Sequence, residues 1–66
     1  MAEARVGQRY KKVGAAWVTW EIVDIRPDLE GVRHCRIVDL NDRTINKLIA
    51  EKTLTNRKFY QLVSEA

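Results

Sequence analysis

One cysteine, Cys35, one proline, Pro27, and one histidine, His34, leave this chain of 66 residues few of the devices by which small proteins hold themselves together. A lone thiol makes no internal disulfide and no cysteine-based zinc site, so stability has to come from packing or from self-association. Long apolar runs are missing as well. The longest unbroken stretch is Gly14 to Val18, far from the ~20 residues of a membrane-spanning helix, so a soluble protein with no membrane partner is expected. Gly7, Gly14 and Gly31 match neither the dinucleotide fingerprint nor the P-loop spacing, which implies no nucleotide cofactor. The only serine is Ser64 near the end, and a hydrolytic triad therefore lacks its parts.

What is present fits one small core. A chain this short buries a small share of its surface, and two cores are out of reach. Twelve Lys and Arg against nine Asp and Glu give a net charge of +3, well mixed along the sequence, a mild preference for anionic partners. Met1 to Arg5 carries mixed charge with no apolar segment behind it, unlike a secretory signal or an acid-poor transit peptide, and a cytoplasmic location is the expectation. Residues 1–4 and 64–66 read as frayed ends around a single domain over residues 5–63.

The pattern is mainly β. Val6 to Val13 suits a first strand with Val6 and Tyr10 turned inward. Trp17 to Ile25 is the clearest strand, dense in β-branched and aromatic residues and closed by Pro27-Asp28 with Gly31 as turn material. Its apolar parity changes midway, from Trp20 and Ile22 on one face to Val23 and Ile25 on the other, which predicts a bulge or a strong bend. Val32 to Leu40 places Cys35 and Ile37 on one side and Arg36 opposite, with a similar slip at Val38 and Leu40. After the turn pair Asn41-Asp42, the stretch Ile45–Ala50 matches both strand and helix templates. A strand over Thr44 to Ile49 is preferred, then a helical turn near Lys52 to Asn56 and a last strand over Arg57 to Val63.

This order of elements is similar to that of small SH3-like barrels of bacterial type, and the expected fold is an all-β, five-stranded SH3-like barrel with one helical turn before the last strand. Gly7 to Trp17, G-Q-R-Y-K-K-V-G-A-A-W, followed by Ile22-Val23, resembles the corresponding region of plasmid-type (type II) dihydrofolate reductases. That family also forms SH3-like barrels and assembles as tetramers around a pore. Its ligand-binding V-Q-I-Y-like segment is not reproduced at Thr44-Ile45-Asn46-Lys47-Leu48, so the resemblance implies the fold and transfers no site residue and no activity.

Chemistry is sparse. His34 and Cys35 are strand neighbours and point to opposite faces, which keeps them from sharing a metal. Cys35 reads as a small buried hydrophobe, and His34 as a surface residue between Arg33 and Arg36. Asp24 and Asp39 read as partners of Arg26 or Arg36 rather than as a catalytic pair. The remaining pattern is basic and aromatic: Arg9, Tyr10, Lys11 and Lys12 near the start, Arg33 and Arg36 in the middle, and Arg57, Lys58 and Tyr60 at the end. If the first and last strands meet, Arg9, Lys11, Arg57 and Lys58 form a basic patch beside Tyr10 and Tyr60, attractive to phosphate with a stacking surface for bases. Of the two tryptophans, Trp20 reads as core and Trp17, beside the Gly14-Ala15-Ala16 loop, as an exposed interface anchor. The sequence therefore favours a non-enzymatic nucleic-acid-binding module, with a protein-interaction or homo-oligomerisation module as the alternative.

Overall fold

The computed structural model describes residues 3–65; the sequence-based end assignments for Met1, Ala2 and Ala66 lie outside them. In chain order the elements are β1 (Arg9–Lys12), β2 (Ala15–Pro27), β3 (Arg33–Asp39), β4 (Asp42–Ala50), α1 (Glu51–Leu54) and β5 (Tyr60–Ser64). The strands form one antiparallel sheet in the order β4-β3-β2-β1-β5. β4 and β5 are its edges, and no ladder joins them among the described residues. The sheet is therefore not closed, and what stands is a mainly β fold with one short helix.

β2 forms because Trp17 to Ile25 is rich in residues that fit a pleated, half-buried surface. It pairs with β1 on one side, setting Tyr10 opposite Trp20, and with β3 on the other, setting Ile22 opposite Ile37 and Ile25 opposite Cys35. Ile22 and Ile25 are three residues apart, and strict alternation would send them to opposite faces. The β2–β3 register slips between Ile22 and Asp24, and the extra residue, Val23, returns Ile25 to the side of Ile22, where it packs against the core. The predicted bulge is thus present. A second irregularity lies between Val38 and Asp39 in the β3–β4 ladder. Val38 is buried but belongs to the opposite face from Ile37.

The β2–β3 turn is held by Asp28, whose Oδ1 accepts from the Glu30 and Val32 amides at 2.8 and 3.0 Å, while Gly31 supplies the positive φ of 84° that the turn demands. The Ile45–Ala50 stretch is strand, because β3 supplies a ladder partner for it, Cys35 opposite Ile49 and Ile37 opposite Lys47. Helix follows only at Glu51, and Thr55 ends it by donating both its amide and its hydroxyl to the Glu51 carbonyl.

The core contains Ala4, Tyr10, Trp20, Ile22, Cys35, Ile37, Leu54 and Tyr60. A single sheet has no second layer to cover it. α1 packs on β3 and β4 and drives Leu54 to zero exposure, and the chain before β1 covers part of the same side. Ala4, expected at a frayed end, is buried, with its amide donating to Glu51 Oε2 at 3.1 Å and its carbonyl accepting from Arg33 at 3.3 Å. Gln8, also buried, accepts from the Arg5 amide and the Tyr10 hydroxyl and donates to Glu65. The first strand is shorter than expected. Val6 is 58 % exposed rather than inward, because Val6 and Gly7 form a turn and pairing begins at Arg9.

A core this small supplies about 3–5 kcal/mol, and truncating a fully buried leucine costs about 2–4 kcal/mol. Leu54→Ala is expected to remove most of the stability in urea unfolding followed by tryptophan fluorescence. Leu29→Ala, in the exposed β2–β3 turn, is expected to stay within about 0.5 kcal/mol of the parent.

Candidate functional site

The basic residues divide by whether an acid answers them. Arg9 binds Glu21 at 3.1 Å, and Arg43 shares that carboxylate at 3.5 Å. Arg26 binds Asp24 at 2.8 Å. Arg33 binds Glu51 at 3.0 Å and reaches Glu3 at 3.9 Å, and the Glu51 hydrogen bond holds its pKa above the ordinary arginine value. Arg36 donates to Asn46 at 2.9 Å and stands opposite Asp24 in the ladder. By contrast, Lys11, Lys12, Arg57 and Lys58 have no carboxylate within 4.0 Å among the described residues. On other segments Arg5, Lys47 and Lys52 likewise have no carboxylate within that distance among the described residues, and Lys47 lies over the Trp20 ring, 4.5 Å from its centroid.

Those four cations share one end of the sheet because β1 and β5 are neighbours, although Lys11 and Lys12, consecutive on β1, point to opposite faces. Lys12 stands opposite Tyr60 and Lys11 opposite Gln61. One step further, the Val13 amide donates to the Phe59 carbonyl at 2.8 Å, so the tip of the β1–β2 hairpin lies against the turn that carries Arg57 and Lys58. That turn is braced by Asn56, whose side chain accepts from the Lys58 amide and whose carbonyl accepts from the Phe59 amide. Arg9 does not join them. It faces Ser64 at the other end of the β1–β5 ladder, about 10 Å along the strand from Lys12.

The aromatic half of the expected patch is rearranged. Tyr10 and Tyr60 are 3 % and 5 % exposed, so neither offers a ring face for stacking. Inward orientation on β1 and β5 puts both in the core, and burial pushes both phenol pKa values up. They instead form part of the wall of a cleft of about 520 Å³, with Leu54, Arg57, Gln61 and Leu62. The exposed aromatic beside the cations is Phe59, at 49 %, which the sequence reading missed. Its signal was available: in Arg57-Lys58-Phe59-Tyr60, alternation sends one aromatic out once the other is buried. Trp17 is 78 % exposed, as expected, next to the stretch of β2 where regular pairing with β1 breaks after Thr19.

Elsewhere the parts for chemistry lie apart. Asp24 is opposite Arg36 and Asp39 opposite Trp20, so the two carboxylates occupy different rows. His34 lies on the outer sheet face with its Nδ1 3.1 Å from the Val32 carbonyl, in a cleft of about 620 Å³ shared with Asp24, Arg26, Asp28, Arg36 and Leu48. The carboxylates in that cleft offset its arginines. Cys35 is fully buried and free, and burial raises its thiol pKa. Asp42 is held below the usual carboxylate range by hydrogen bonds from the Thr44 hydroxyl and amide. No group of three or more His, Cys, Asp or Glu among the described residues is arranged to hold a metal. No helix among them is long and apolar enough to cross a membrane.

Cys35 provides a direct check on this packing. With the thiol inaccessible and its thiolate disfavoured, an aromatic disulfide reagent at pH 8 is expected to label the native protein at the rate of global opening and the urea-unfolded protein at once. Rapid native labelling would show that the β2–β3 core is open. Comparison of the chain with protein families, with curated proteins and with solved structures finds no match.

Proposed function

We propose that this chain is a non-enzymatic, cytoplasmic binding module that holds single-stranded nucleic acid at the end of the sheet formed by the β1–β2 hairpin tip and the turn before β5. The observation that carries the reading is that Lys11 and Lys12 at the end of β1 and Arg57 and Lys58 in the adjoining turn, none with a carboxylate partner among the described residues, lie at one end of the sheet with Phe59, which is 49 % exposed. Unneutralised cations attract phosphates and release their counterions, and an exposed ring accepts a base by stacking. A single strand suits this better than a duplex, whose bases already stack on one another. Arg9, Arg33 and Arg36 drop out of the interface, since each is engaged within the fold. No cofactor enters the reading.

We read the sheet as an SH3-like barrel. The order β4-β3-β2-β1-β5, the helical turn between β4 and β5, and the bend at Val23 support that reading. A second functional reading, a protein-interaction or homo-oligomerisation module, rests on Trp17 at 78 % exposure and on the edge strand β4, where Ile45 and Leu48 are 48 % and 58 % exposed.

Fluorescence anisotropy of labelled single-stranded oligonucleotides across a salt series separates the two. Binding through four cations is expected to weaken with a log–log salt slope of about −2.8, at about 0.7 per phosphate contact on a single strand. Lys12→Ala and Lys58→Ala are each expected to reduce the slope by about 0.7, whereas Arg9→Ala leaves it unchanged. Absence of binding at low salt would reject this function, and a salt-tolerant dimer in light scattering that is lost in Trp17→Ala would put the second reading in its place.

A further inference from the structure

We infer that β4 pairs edge to edge with β4 of a second copy of this chain, antiparallel about a two-fold axis at Leu48, so that one continuous sheet runs through a dimer. This rests on the homo-oligomerisation reading above and gives its edge a partner and a register. β4 has β3 on one side and, among the described residues, no strand on the other. Asp42 to Leu48 are all exposed, and Ile49 and Ala50 are half-buried. Soluble proteins blunt such an edge with proline, bulges or charges that stand off it. β4 holds no proline, and its one slip in register lies before Asn46, which leaves Asn46–Ala50 regular. Both of its cations are drawn back over the sheet of their own protomer: Arg43 reaches Glu21 at 3.5 Å, and Lys47 lies over the Trp20 ring, 4.5 Å from its centroid. Asn46 is held by Arg36 at 2.9 Å. The edge therefore offers backbone and the apolar side chain of Leu48, 58 % exposed, with no charge standing off its regular part. A strand of the same character fits it, and a second copy brings one.

The register follows from the regular part of the strand. It runs from Asn46, opposite Val38, to Ala50, opposite His34, and its centre is Leu48. About that centre Leu48 meets its own copy, Asn46 meets the partner's Ala50, and Lys47 meets the partner's Ile49. Alternation keeps Asn46, Leu48 and Ala50 on the outer face and Lys47 and Ile49 on the core face, where Ile49 packs against the core. Each side chain thus meets one on its own face, and the lysine stem lies against an apolar neighbour. An axis at Lys47 would set two lysines directly opposite each other, which destabilises a ladder. An axis at Ile49 would shorten the regular ladder to Leu48–Ala50. β4 and β5 are opposite edges of the sheet, so the dimer leaves the proposed nucleic-acid end free, and the two properties are measured separately.

Light scattering and sedimentation from micromolar to millimolar protein are expected to show a monomer–dimer equilibrium that salt leaves unchanged. Leu48→Lys puts like charges on the axis and removes the apolar contact, and is expected to weaken the dimer by about tenfold with the circular dichroism of the fold unchanged. Trp17→Ala is expected to leave the dimer intact. Register is checked by Leu48→Cys: opposed strand residues lie within disulfide reach, so oxidation in dilute solution is expected to give a covalent dimer, whereas Leu29→Cys in the β2–β3 turn stays monomeric. A monomer at millimolar concentration, a dimer indifferent to Leu48→Lys, or an assembly larger than a dimer would overturn the pairing. A dimer lost in Trp17→Ala but kept in Leu48→Lys would also overturn it, and would leave oligomerisation through Trp17 standing.

Discussion

Everything in this fold follows from the need of one sheet to bury its own apolar face. Among the described residues there is one sheet and a single turn of helix, so the face must curl until its own side chains cover one another. The extra residue at Val23 allows this, since it sets Ile22 and Ile25 on one side of β2 and bends the strand between them. Without that residue Ile25 would point to water and the core would lose one of its supports. Leu54 then fills what the curl leaves open, and the chain before β1 covers the rest through Ala4, tied by its amide to Glu51 and by its carbonyl to Arg33.

Charge is distributed according to the same geometry. Arg33 and Glu51 lie where three segments meet, and their pairing fastens α1 to β3 and to the N-terminal segment. Glu21 on β2 serves Arg9 from β1 and Arg43 from β4, spanning the outer face of the sheet. These pairs are partly exposed, and such pairs stabilise little individually; their effect is to hold long side chains in place. Of the acids, Glu21, Asp24 and Glu51 are drawn into these pairs within the body of the sheet and α1. Among the described residues, the hairpin tip and the turn before β5 carry Lys12, Arg57 and Lys58 with no carboxylate within 4.0 Å, and the proposed function rests on that asymmetry.

The strand pattern was legible from residue types. Trp17 to Ile25 announced a strand, its parity change announced the bulge, and Cys35 with Ile37 marked the buried side of β3. The strand over Thr44 to Ile49 was legible only together with its neighbours, because its own residues suit a helix equally and the ladder to β3 decides between them. At the ends local pattern misled: Val6 is apolar yet exposed in a turn, and Ala4 is buried because Glu51 and Arg33, distant in sequence, reach its backbone.

By itself the sequence determined a mainly β chain, the place of its bend, the burial of Cys35 and the exposure of Trp17, because each depends on alternation and side-chain type within one segment. The site is another matter. Which cations remain unpaired, which aromatic faces outward, and that Tyr10 and Tyr60 belong to the core are properties of the pairing between β1 and β5 and of carboxylates brought from other strands. Only the tertiary structure decides them, since a charge is neutralised by whatever folds beside it, not by its neighbours in the chain.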